Sequence, residues 1–305
     1  MLRFIFRRIL LGIPVLVTVA TLTFLIMHWV PGGPFDTEKI LPPEIKANIE
    51  AKYHLDKPVS LQYILYMKQL FQGDLGPSYK YLGRDVSDII YDTFPVSFTL
   101  GLCAVFVVLG LGVPAGMISA YWQNSLLDRS VLLIAAMSIS IPSFVLGAIS
   151  VWIFSHYWHW LPPALWEGPR HMILPAFALG AGFAGYVARL TRTTVLDVLS
   201  SDYIRTARAK GLTEPVIMFK HVLINSIYPI VSVMGPLTAG LVTGSFVIEF
   251  IFSIPGMGRF FITAVTNRDY PLIMGVTLVY AVLIVIANLI VDMIYGWLDP
   301  RVTLK

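Results

Sequence analysis

An all-α polytopic membrane protein, with six transmembrane helices and both termini in the cytoplasm, is the fold class the sequence predicts. Three observations carry it. The 305 residues are 56% hydrophobic and only 13% charged, against roughly 25% charged in an average soluble chain. So little polar surface could not coat so much apolar surface, which makes the bilayer the expected solvent. Six windows free of Asp, Glu, Lys and Arg (9–35, 93–127, 130–166, 171–188, 221–248 and 270–291) punctuate the chain, and crossing the hydrocarbon core takes about 20 apolar residues. Lys and Arg, finally, are dealt unevenly between alternate connecting segments.

The elements follow in order. The start, MLRFIFRRILLGIPVLVTVATLTF, is basic and then apolar, and the apolar run continues to Val30. That is long for a cleaved signal and long enough to span, so 9–30 reads as an uncleaved first helix behind a cytoplasmic stretch 1–8. Segment 31–94 is soluble-like and is expected outside, with short helices. Ile45 and Ile49, then Leu61, Ile64, Leu65 and Leu70, recur at helical spacing on either side of Pro58, and GDLGPS reads as a turn. It would form a lid, a docking surface or a plain packed cap. The second and third spans are expected at 95–122 and 131–157. HYWHWLPPALW, in the second half of window 130–166, carries Trp, Tyr and His suited to the headgroup level. Residues 158–171 therefore read as an interfacial outer loop, not a further span. Spans at 172–195, 227–252 and 274–298 complete the six. A cytoplasmic loop 200–224 and an outer loop 253–273 separate them, and 299–305 is the cytoplasmic C-terminus.

Orientation rests on the cations. With the N-terminus inside, the inner segments hold twelve: Arg3, Arg7, Arg8, Arg129, Arg189, Arg192, Arg205, Arg208, Lys210, Lys220, Arg301 and Lys305. The short outer loops hold three, Arg170, Arg259 and Arg268. The other seven lie in 31–94, and long loops are largely exempt from the positive-inside rule.

The stretch SSDYIRTARAKGLTEPVIMFKH, 200–221, interrupts the apolar sequence. Asp202 can cap a helix that runs to Gly211, a natural stop. Thr213 can cap a second helix with Pro215 in its first turn. Ile204, Ala207 and Gly211 share one face; Arg205 and Arg208 share another. A basic loop lying on anionic lipid would need only charge. Small residues at 207 and 209, two caps and a glycine stop suit a compact knob that docks on a protein.

Other classes are poorly supported. Gly-Lys never occurs, so the chain has no P-loop, and neither H-E-x-x-H nor G-x-S-x-G is present. No nucleophile, base or metal set stands out, and the chain reads as no enzyme. Cys103 is the single cysteine, which excludes an internal disulfide and a Cys-based metal cluster. Of the six histidines only His156 and His159 sit at helical spacing, beside tryptophans, where interfacial anchoring outweighs a metal. The net charge of +4 is small, and no nucleic-acid partner is expected. Glu249 and Asp292 sit toward the ends of spans, whereas ion-coupled carriers place charges near midplane. The fifth span carries Pro229, Gly235, Pro236, Gly240 and Gly244. Gly240 with Gly244, like Gly112 with Gly116, makes a small-xxx-small pair suited to close helix packing. Gly235, Pro236, Gly240, Gly244 and Glu249 are the candidates to line a pathway that opens and closes.

Two motifs resemble those of one family. YIRTARAKGL followed by HVLINSIYP is similar to the coupling loop of ABC importer permeases. EFIFSIPGMGRFFITAVTNRDYPLIMG, 249–275, is similar to the C-terminal signature of the dipeptide, oligopeptide and nickel permease branch. The order of features extends the likeness to essentially the whole chain. Arg205 stands where the general motif has Glu, and His221 where the broad family often has Ile. The resemblance implies a type I ABC importer permease fold in a bacterial inner membrane. It implies a second homologous permease subunit in a heterodimer, two ABC ATPase subunits that use ATP and Mg, and an extracytoplasmic peptide-binding protein. This chain would bind no cofactor itself, and membrane lipids would surround it. The expected substrate is an oligopeptide; a dipeptide or a nickel or other metal chelate is the alternative within the family. A stand-alone proton-coupled carrier is the alternative outside it. Arg205, Thr206, Ala207, Arg208, Ala209, Lys210 and Gly211 become the coupling residues, and Glu249 the candidate to meet a peptide amino terminus. The small Ala207, Ala209 and Gly211 would let the helix seat in a partner's groove.

Overall fold

The computed structural model describes residues 2–35, 50–242 and 245–298. Its helices are α1 (Leu2–Trp29), α2 (Val59–Phe71), α3 (Val86–Tyr121), α4 (Leu126–Ser140), α5 (Ser143–Ser150), α6 (Pro169–Leu199), α7 (Asp202–Ala209), α8 (Leu223–Val242), α9 (Phe246–Ile251), α10 (Met257–Asn267) and α11 (Tyr270–Leu298). Two π-helical segments, Val151–Tyr157 and Ile217–Val222, continue α5 and lead into α8. Five helical runs are long and apolar enough to cross a bilayer: Ile5–Trp29, Val86–Tyr121, Pro169–Leu199, Glu214–Val242 and Tyr270–Ile290. The pair Leu126–Ser140 and Ser143–Tyr157, bent by 108°, is the sixth candidate.

The elements depart from the expected boundaries where local chemistry intervenes. The expected third span, 131–157, is two helices, because Pro142 lacks an N–H and restricts the residue before it. Ile141 is accordingly extended, with φ −87° and ψ 124°, and ends α4. The expected fifth span, 227–252, is likewise divided. α8 ends at Val242, and Ser245 begins α9 by accepting a hydrogen bond from the Ile248 N–H at 3.3 Å. The expected outer loop 253–273 contains α10 and the start of α11. α3 begins at Val86, not residue 95, and its 36 residues extend about 54 Å, well beyond the roughly 30 Å of the hydrocarbon core. Ile45, Ile49, Gly244 and the tail 299–305 lie outside the described residues.

The chain divides into two compact units, Met1–Val96 with Pro255–Val285, and Ser97–Ile254 with Ile286–Lys305. In the first, α1 lies close to α11, where a methyl on Gly12 would fall 2.9 Å from Val285 Cγ1. Phe24, Tyr270 and Met274 form a buried cluster beneath Tyr63, Tyr66 and Tyr79. Burial pushes the Tyr66 phenol up to about 12, so it stays a neutral donor. The turn before α3 is pinned by one carboxylate. Asp269, fully buried, accepts from the Ser78 hydroxyl, from the Tyr79 N–H at 3.1 Å and from the Lys80 N–H at 3.4 Å. The same carboxylate accepts from Leu272 N–H at 3.4 Å, in the first turn of α11. An isolated bridge between Pro77 and Asp85 closes this turn, leaving Leu82 at its tip 82% exposed.

The second unit is built on α6, which packs against α4, α5 and α8. Small side chains let α3 approach it. A methyl on Gly112 would come 2.8 Å from the Ala184 carbonyl oxygen, and one on Gly116 2.5 Å from that of Ala188. This small-xxx-small pair therefore serves close packing. Gly240 does not, since a methyl there would meet nothing within 4 Å.

Candidate functional site: the basic knob and the cavity beside the broken helix

α7 and the turn after it form the knob. Ser201, not Asp202, occupies the N-cap position, with φ −74° and ψ 150°. Its hydroxyl donates to the Val198 carbonyl at 2.6 Å instead of capping α7. Asp202 lies in the first helical turn, where its charge favours the helix dipole, and Thr206 Oγ1 donates to its carbonyl at 3.0 Å. Thr213 occupies the next N-cap position, also without a side-chain hydrogen bond, and Pro215 follows in the first turn of Glu214–Val216. Both caps expected from the sequence thus fail as side-chain caps.

The stop at Gly211 has the geometry its residue type implies. The Gly211 N–H donates to the Arg208 carbonyl at 2.9 Å and the Leu212 N–H to the Ala207 carbonyl at 3.3 Å. With φ +79° at Gly211 this is a Schellman ending, which needs a left-handed residue after the cap. Across the turn, Arg208 donates to both carboxylate oxygens of Glu214, at 2.8 and 3.3 Å. Arg205 reaches Asp202 at 3.4 Å on the exposed side.

The knob is fastened by apolar burial. Ile204 and Ala207 pack with Met117 and Ala120 of α3, Val195 of α6, and Ile217, Met218 and Val222 of the π-helical segment. Of the seven expected coupling residues, six face outward: Arg205, Thr206, Arg208, Ala209, Lys210 and Gly211. Ala207 does not. Its small side chain is consumed by the chain's own core, so it cannot also seat in a partner's groove. Tyr203 and Leu212 add apolar area to this exposed surface. Tyr203 escaped the sequence reading, although it precedes the buried Ile204 and so points to the other face.

The expected pathway residues are not brought together. A mainly apolar cavity of about 710 Å³ lies between α4, α5, α6 and α8; Ile139, Pro142, Phe183, Tyr186, Ser232 and Pro236 are among its walls. The irregular backbone at Ile141–Pro142 therefore faces a cavity, the setting in which a broken helix is tolerated at membrane depth. Pro236 lines it. Gly235 is half-buried and Gly240 exposed elsewhere on α8, and Gly244 is outside the described residues. Glu249 is fully buried on α9, off this cavity.

One polar cluster was not read from the sequence. Asp128, 2% exposed, accepts from Arg192 Nε at 2.7 Å and Nη2 at 2.8 Å, from Ser119 Oγ at 2.5 Å and from the Asn124 N–H at 2.8 Å. Its own N–H donates to the Ser125 hydroxyl, the N-cap of α4. A signal was present. Asp128 is the single acidic residue between Asp92 and Glu167, set in an S-x-x-D capping pattern.

Helices apolar enough to cross a bilayer, a mainly apolar cavity and an exposed basic knob in the second unit suit an integral-membrane transport subunit. Residues 112–304 match the family described as the binding-protein-dependent transport system inner membrane component. Residues 1–101 match its N-terminal companion. The chain belongs to this family of ABC importer permeases. It is 45% identical over 304 residues to the oligopeptide transport system permease protein OppB of Escherichia coli K12, covering 99% of both chains. It is 42% identical to the dipeptide transport system permease protein DppB of Bacillus subtilis, covering 100% of this chain and 99% of that one. Its fold is similar to a chain of the inward-facing MetNI methionine ABC transporter, with a TM-score of 0.56 at 17% identity, covering 69% of this chain and 96% of the other.

Proposed function

We propose that this chain is a permease subunit of an ATP-driven importer of oligopeptides, and that it receives motion through the 202–211 knob. The observation that carries the reading is the 45% identity to an oligopeptide permease along the full length. The permease supplies half of the path and pairs with a second, homologous permease. Two ATPase subunits bind ATP and magnesium, and an extracytoplasmic protein delivers the peptide. The knob faces the cytoplasm, in line with the charge asymmetry, and presents Tyr203, Arg205, Ala209, Lys210 and Leu212 to an ATPase. Its Schellman ending and inward Ile204 make it stiff, which suits an element that must move as one body. The apolar cavity beside the break at Pro142 suits a cargo whose side chains vary. The relative named for dipeptides makes peptide length the specific question. The test is reconstitution with both permeases, both ATPases and the binding protein in proteoliposomes, with uptake of peptides of increasing length measured with and without ATP. ATP-dependent uptake of peptides longer than two residues is expected. Uptake confined to dipeptides would move the assignment, and uptake by this chain alone without ATP would overturn it.

A further inference from the structure

The contact between α3 and α6 is close at three glycines. Gly112 and Gly116 meet Ala184, Val187, Ala188 and Thr191, and Gly180 meets Ala104 and Val107. Such a surface holds by dispersion and close approach, and no directional polar bond is among those contacts. At the knob end the contact changes character. The Asp128 carboxylate takes the two-pronged guanidinium of Arg192 from α6, the Ser119 hydroxyl from α3 and the Asn124 N–H from the turn that leaves α3. These bonds are directional and short, and the Asp128 carboxylate that gathers them is buried, so they set the register of the two helix ends. The same helix ends carry the knob's apolar seat. Met117 and Ala120 flank Ser119 on α3, and Val195 lies one turn beyond Arg192 on α6; all three pack against Ile204 and Ala207.

We propose that Asp128, with Arg192 and Ser119, is a positioning cluster for coupling. It locks the ends of α3 and α6 into one platform, so that a push on the knob moves both helices and is not lost as slip between them. This rests on the reading of the chain as an ATP-driven permease subunit.

Each arm of the cluster can be cut separately in the assembled transporter. Asp128→Asn keeps the shape and removes the charge. Arg192→Lys keeps the charge and removes the fork. Ser119→Ala frees α3 alone. Three quantities are measured for each: the amount of assembled complex, ATP hydrolysis stimulated by liganded binding protein, and peptide uptake. Asp128→Asn is expected to assemble normally and to hydrolyse about tenfold more ATP per peptide imported, within the usual range of coupling between distant sites. Arg192→Lys and Ser119→Ala should raise the ratio by less. Should Asp128→Asn fail to assemble, these two milder variants decide. An unchanged ratio in every variant that assembles overturns the proposal, as does a fall in uptake and hydrolysis in strict proportion to lost complex, since the cluster would then only hold the fold together. A wild-type assembly without ATP-dependent uptake is a separate result and defeats the functional reading instead.

Discussion

The knob at 202–213 and the turn at 77–85 both leave the helices briefly, display an exposed surface and return. They are fastened by opposite means. The turn hangs on one carboxylate, Asp269, which takes a hydroxyl and two N–H groups. The knob is held by Ile204 and Ala207 in an apolar cluster, and its ion pairs lie on the exposed side. An apolar anchor is indifferent to charge and direction, so the outward residues of the knob are free to serve a partner. A carboxylate anchor specifies each donor it holds and tolerates little change.

Four substitutions test this contrast, and their expected cost to folding falls from the turn to the rim of the knob. Asp269→Ala leaves the Ser78 hydroxyl and the Tyr79 and Leu272 N–H groups without their acceptor, which should cost about 3 kcal/mol or more. Thermal unfolding should fall, and trypsin should cut at Lys80 or Arg84; a protease-resistant turn in this variant would contradict the single-anchor account. Ile204→Ala opens a cavity under the knob and should cost about 2–3 kcal/mol. Membrane insertion should persist while uptake drops, and unchanged thermal stability would show that the knob is held elsewhere. Gly211→Asp strains a left-handed position by about 1–2 kcal/mol, with open space around the new side chain. Uptake should nevertheless be abolished, because the charge lands on the surface proposed to meet the ATPase. Normal uptake with normal ATPase stimulation would remove that surface from the coupling path. Arg208→Gln breaks only the exposed fork to Glu214 and should cost under about 1 kcal/mol. Uptake near wild type is expected, and a large loss would assign Arg208 a partner beyond Glu214.

Features written in single residues were legible in the sequence. Gly211 reads as a stop because few other residues take φ +79° cheaply, and the Gly112–Gly116 pair reads as a close contact because only absent side chains permit one. The caps were legible only in type. Ser201, Asp202 and Thr213 are all cap-forming residues, and which hydroxyl turns inward depends on neighbours such as the Val198 carbonyl. The break at Pro142 escaped because windows were chosen by absence of charge, and proline carries none. The Asp128 cluster escaped because its partner lies 64 positions away, a distance no local period reports. Ala207 was assigned to a partner because helical spacing shows that it shares a face with Ile204 but not which way that face turns.

The 108° bend at Pro142 also bears on the sidedness of the chain. Its two arms, of fifteen residues each, are about 22 Å long, so their far ends lie roughly 26 Å apart. A straight helix of the same length would span about 45 Å. At about 26 Å the bent pair falls short of a 30 Å core even in its longest posture, with the elbow at mid-depth, and a crossing needs the residues flanking its ends as well. The parity of the topology hangs on that posture. Six crossings return the start of α1 and the end of α11 to the same compartment, and five would part them. The clustering of Arg3, Arg7 and Arg8 at one end, and of Arg301 and Lys305 at the other, is the pattern that an even number produces under the positive-inside rule.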